Sequence, residues 1–103
     1  MKVTVRLPGA LRELARGQAA IAFDLDESAT VGGLLDALGA QLPAVERRIR
    51  DETRSLRRHV NVFVGDRNIR DGSGLAEPLS DGVDVHVIPA ISGGGCLERR
   101  PAR

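Results

Sequence analysis

The stretch "VDVHVIPAI", residues 83–91, decides how the chain folds. Val83, Val85 and Val87 alternate with Asp84, His86 and Ile88, the two-residue period of a strand with one face inward and one outward. Working outward from it, the same period recurs three times. "MKVTVRL" sets Val3, Val5 and Leu7 against Lys2, Thr4 and Arg6. "AIAFDLD" sets Ile21, Phe23 and Leu25 against Asp24 and Asp26. "HVNVFV" sets Val60, Val62 and Val64 against His59, Asn61 and Phe63. Pro8-Gly9 ends the first strand, and "GDRN" turns the chain after the third. Between the first two strands, "ALRELARG" is short enough for a helical turn or part of a hairpin connection.

One segment carries the helical period instead. In "ESATVGGLLDALGAQLP", Thr30 is the N-cap, and Val31, Leu34, Leu35, Leu38 and Leu42 recur at three- and four-residue intervals. Gly32-Gly33 costs roughly 1 kcal/mol per glycine relative to alanine, which close packing of the helix on a sheet would explain. A phosphate-binding loop would need a lysine and a preceding strand, and neither is there. "VERRIRDETRSLRR" carries six arginines interleaved with Glu46, Asp51 and Glu52, and has Val45 and Ile49 four apart. This mixture reads as a solvated second helix or an irregular arm rather than a nucleic-acid surface. "GSGLAEPLSDG" is a loop anchored by Leu75 and Leu79.

The order is therefore strand, strand, helix, strand, strand. A short connection makes the first two strands an antiparallel hairpin. The last strand has enough chain before it to return beside the first. One helix on one face of a four- to five-stranded mixed sheet is an α+β, ubiquitin-like β-grasp. Its expected core is Val3, Val5, Ile21, Leu25, Leu34, Leu38, Val62, Val64, Val85 and Val87, in one domain over residues 1–91. Residues 92–103 are expected to form a flexible, Gly-rich tail. The outer sheet face is mostly polar, with Phe63 and Ile88 as apolar exceptions on strands expected to be neighbours. An apolar patch on a small domain marks a partner face.

Composition narrows the function classes. At 103 residues with 42% apolar content the chain builds one modest core. Phe23 and Phe63 are its only aromatics, so base stacking contributes little and no nucleic-acid partner is expected. Of 15 basic residues only Lys2 is lysine, and the net charge is +1. A single cysteine forms no internal disulfide, which fits a reducing compartment. No leader and no long apolar run is visible, so the expectation is a cytoplasmic protein without a membrane partner. Asp24 and Asp26 have no third ligand nearby and read as a solvated face. His59 and His86 lack a thiol or carboxylate at ligand spacing, so no metal is expected. No nucleophile–base pair is visible, so the chain is expected not to be an enzyme.

The remaining motif is "ISGGGCLERRPAR", residues 91–103. Taken with "TVGGLLDALGAQLP", "HVNVFVGDRNIR" and "GLAEPLSDGVDVHVIPAISGG", it makes residues 1 to about 95 resemble the MoaD/ThiS sulfur-carrier family, in its MoaD- and CysO-like branch. The resemblance implies a β-grasp whose C-terminal glycine is the working group. An E1-like adenylyltransferase of MoeB/ThiF type activates that carboxylate with ATP, which the partner enzyme uses and the carrier does not bind. Sulfur then replaces AMP to give a thiocarboxylate, donated to a cysteine synthase or to the large subunit of molybdopterin synthase. Here Gly94 or Gly95 would carry the group, Ser92 and Gly93 would thread into the partner, and Phe63 and Ile88 would face it. Glycines suit a threaded tail because they lack side chains and choose φ and ψ freely.

The sequence departs from that pattern at "CLERRPAR". While residues 96–103 are attached, the Gly95 carbonyl is an amide and cannot be adenylated. The resemblance implies a precursor trimmed by a JAMM-type metallopeptidase. The "PAISGG" pattern favours a cut after Gly94, whereas a Gly–Cys cleavage would fall between Gly95 and Cys96. Trimming at Gly95 takes the net charge only from +1 to −1, too small a change for an electrostatic purpose. Two alternatives stay open: a ubiquitin-like binding module or protein modifier that carries no sulfur, or a tail produced by a shifted stop codon. As a modifier it would build chains only through Lys2 or the terminal amine.

Overall fold

The computed structural model describes residues 1–89. Its elements are β1 (Lys2–Arg6), α1 (Gly9–Arg12), β2 (Ala20–Asp24), α2 (Val31–Gln41), α3 (Pro43–Ile49), β3 (Val60–Val64), β4 (Arg67–Asn68) and β5 (Asp84–Pro89). Two 3₁₀ turns, Ile69–Asp71 and Gly74–Ala76, join β4 to β5. The five strands form one sheet in the order β2-β1-β5-β3-β4. β1 pairs antiparallel with β2 and parallel with β5, and β5 pairs antiparallel with β3. This is the expected β-grasp, and β5 is its central strand.

Register follows the apolar alternation, because slipping by one residue would turn every valine to the outside. Val3 lies opposite Phe23 and Val5 opposite Ile21. Val5 also pairs with Val85, while Val62 and Val64 meet Val87 and Val85. The β3–β4 turn uses Gly65 at φ +61°, a backbone state that an L side chain resists and a two-residue hairpin requires.

Helix α2 covers this inner face with Val31, Leu34, Leu35 and Leu38, all fully buried. Thr30 caps it as expected: its Oγ1 accepts from the Gly33 amide at 3.3 Å. Pro43 opens α3 at a position where no amide hydrogen is needed. The solvated reading of the arginine-rich arm needs correction here. Val45 and Ile49 are completely buried beside α2, and even Arg50 is only 4% exposed. Its guanidinium donates to Glu46 at 2.7 Å and to Asp36 at 2.8 Å. Burial alone would lower the Arg50 pKa, but these two carboxylates together outweigh it and hold the pKa raised.

Two expected core residues, Leu25 and Val64, are only half-buried, because each sits where its strand ends or leaves the helix's cover. Their places are taken by Phe23, Val60, Ile69 and Leu79. The adjacent glycines have different causes. A Cβ on Gly32 would come 3.2 Å from the Leu75 carbonyl oxygen, so the helix packs closely on the 74–76 turn rather than on the sheet. At Gly33 a Cβ would meet only the Thr30 hydroxyl at 3.9 Å. Gly33→Ala is therefore expected to stabilise the fold by about 0.5–1 kcal/mol through helix propensity, read as a raised midpoint in urea unfolding.

Candidate functional site

The sheet face opposite the helices is uncovered, and the register defines what it presents. Ala20, Arg6, His86, Phe63 and Asn68 stand opposite one another across all five strands. Ile88 pairs with Asn61 in the next row, which makes it a diagonal neighbour of Phe63, within reach of an aromatic ring. The structure thus brings the two residues expected on the outer face together. Ile88 is 48% exposed, the one large hydrophobic so open among the described residues. Phe63 is half-buried.

Polar groups frame this apolar pair. The Asn68 side-chain Nδ2 donates to Asn61 Oδ1 at 3.3 Å. Arg6 Nε lies 3.2 Å from Asp84 Oδ2. Both members of that ion pair are largely exposed, so it orients the side chains and adds on the order of 0.5 kcal/mol at most. His86 stands between Arg6 and Phe63. Sequence reasoning missed that Arg6, His86 and Phe63 form one row. Arg6 and Asp84 are 78 residues apart, and a parallel pairing over that distance leaves no local signal.

β5 is the last described element before the glycine run. Held between β1 and β3, it ends with Pro89 opposite Val60. After Ala90 and Ile91 come Ser92, Gly93, Gly94, Gly95 and Cys96, which lie outside the described residues. The two histidines are not brought together: His86 is on the outer face, while His59 lies beyond the β3 end of the sheet. Among the described residues no group of three His, Cys, Asp or Glu side chains is placed to hold a metal ion. No helix there is long and apolar enough to cross a membrane.

Comparison with known proteins matches this geometry to a group of relatives. The model of the ThiS family matches residues 5–94, ending on Gly94. The sulfur carrier protein CysO of Mycobacterium tuberculosis is 34% identical over 96 residues, spanning 91% of this chain and all of that protein. Its crystal structure superposes with a TM-score of 0.76, covering 86% of this chain and 99% of that one. Small archaeal modifier protein 3 of Haloferax volcanii is 33% identical over 94 residues, spanning 91% of this chain and all of its own length. The Amycolatopsis orientalis BexX/CysO complex contains a chain at TM-score 0.77 and 30% identity, covering 89% of this chain and 99% of that one.

Proposed function

Because this chain belongs to the ThiS family, we propose that it is a sulfur carrier, made with a C-terminal extension that must be removed before it works. The carrying observation is that the family match ends on Gly94, inside the glycine run that follows the central strand. Hydrolysis after Gly94 or Gly95 frees a glycine carboxylate. An E1-like adenylyltransferase joins that carboxylate to the α-phosphate of ATP and releases pyrophosphate. A sulfur donor then displaces AMP, leaving a thiocarboxylate.

The carrier needs no acid or base of its own in this scheme. Its parts are a firm handle, a threadable end and a recognition face. β5 serves as the handle: Asp84–His86 pair with β1, and β3 continues the pairing to Pro89, so a pull on the tail is borne by the sheet. Ser92 and Gly93 thread, and Phe63 with Ile88 supplies the apolar contact. A zinc-dependent JAMM-type peptidase is the proposed trimming enzyme. The likeness to CysO favours a cysteine synthase as sulfur acceptor over the large subunit of molybdopterin synthase.

A second reading, as a protein modifier, is favoured by the likeness to the archaeal modifier protein. Both readings need an activated glycine; they differ in whether sulfide or a lysine amine displaces AMP. Adenylation tests the shared step. After trimming in native lysate, the chain should support pyrophosphate release by an E1-like adenylyltransferase, and no release would reject both. Ile88→Ser is expected to weaken that reaction about tenfold, as loss of an apolar anchor does. At 48% exposure, the same change should alter stability by no more than about 0.5 kcal/mol.

A further inference from the structure

The net charge of +1 hides a dipole that runs along β5. At the end where β5 begins stand Asp24, Asp26, Glu27 and Asp81, with Lys2 and the Met1 ammonium, 3.6 Å from Asp24, as cations among them; the Asp81 carboxylate accepts from the Lys2 amide at 2.7 Å. At the other end, where Pro89 pairs with Val60, two adjoining surface hollows share Arg57 and His59. One adds Arg58 and Arg70; the other adds Arg48 above an apolar floor that includes Leu11 and Val60.

These cations are held in place rather than merely numerous. Arg70 donates to the carbonyls of Arg57, Arg58 and Val60 at 2.6, 3.2 and 2.8 Å. Arg57 Nε donates to the Arg47 carbonyl at 2.8 Å, tying the segment to α3. Arg48 and Arg58 are exposed, and among the described residues neither has a carboxylate within ion-pair distance. Asp51 is the single carboxylate lining the hollows. It is already occupied by the Thr53 hydroxyl at 2.6 Å and by the amides of Thr53 and Ser55 at 2.8 and 3.2 Å.

We propose that the Arg48–Arg57–Arg58–His59 surface is a docking site for an acidic protein surface beside the catalytic pocket that receives the glycine tail. This rests on the carrier reading above. Gly94 is the fifth residue after Pro89, so an enzyme acting on Gly94 works within about 17 Å of Pro89. That distance brings its surface close to the basic end of the sheet. Complementary charge there steers the encounter with the tail foremost. The chain's own extension is the wrong occupant, because residues 96–103 bring three arginines against one glutamate. A nucleic acid is disfavoured by the absence of any aromatic side chain in the hollows.

The test has two arms on the full-length chain. In the first, ¹⁵N-labelled protein is titrated with a hexaglutamate peptide at low salt. Saturable shifts are expected at residues 48 and 57–59, weakened about tenfold in Arg48→Glu/Arg58→Glu and not weakened in Lys2→Glu. Equal weakening by Lys2→Glu, shifts spread over all arginines, or stronger binding of a single-stranded oligonucleotide to the same residues would overturn the proposal. The spectrum also shows whether each variant is folded. In the second arm each variant replaces the native chain in its own cells, and the thiocarboxylate fraction is read by mass. It should fall about tenfold for the arginine pair alone. An undiminished fraction overturns the docking site, whereas no thiocarboxylate even in the native chain rejects the carrier reading and leaves the peptide titration to judge the surface.

Discussion

Replacing Gly94 and Gly95 together by valine is expected to abolish thiocarboxylate formation while leaving the melting temperature unchanged. Each valine adds a branched Cβ that stiffens χ1 and confines φ and ψ. A tail that must enter a narrow adenylation pocket, with its last carbonyl open to an in-line phosphoryl acceptor geometry, tolerates neither the bulk nor the restriction. A loss of at least about a hundredfold is expected, the scale on which misplacing a reacting group by an ångström acts. Stability is unaffected because the described core is complete by Val87. The check pairs a mass measurement of the thiocarboxylate with a thermal melt. A double-valine variant that still acquires sulfur would place the working carboxylate elsewhere.

Leu34→Ala carries the largest expected effect on stability. Leu34 is fully buried on the face of α2 that covers the sheet. Removing three of its side-chain carbons forfeits transfer free energy and leaves a cavity that a rigid sheet cannot close, costing about 3 kcal/mol. Total stabilities of small domains are about 5–15 kcal/mol, so the urea midpoint should fall by a large fraction. Leu25→Ala is the internal comparison. Because Leu25 is only half-buried beyond the end of β2, its loss should cost about 1 kcal/mol. Equal costs at the two positions would contradict the packing described for α2.

What could be read from the sequence, and what could not, divides by range of interaction. Strands β1, β2, β3 and β5 announce themselves through strict alternation, and α2 through its leucine spacing and the Thr30 cap. The return of β5 beside β1 followed from chain length, and it placed Phe63 and Ile88 on one face. The two-residue strand β4 is too short to show a period. Helix α3 was half hidden, since its apolar positions, Val45 and Ile49, are outnumbered by arginines. Arg50 is buried against Glu46, one helical turn before it, and against Asp36, fourteen residues before it. The Glu46–Arg50 spacing is a local signal, whereas the Asp36 contact leaves none. The glycine run stands out by its residue types alone, since the chemistry proposed for it asks for the absence of side chains rather than for a fold.

On the proposed reading this β-grasp domain loses its CLERRPAR extension and then carries sulfur on a glycine. The intact mass of the protein isolated from its own cells tests it most directly. A carrier should appear as a species ending at Gly94 or Gly95, with a fraction heavier by one oxygen-to-sulfur exchange. A single species that extends through Arg103, unchanged by incubation with native lysate, an E1-like adenylyltransferase and ATP, would contradict it.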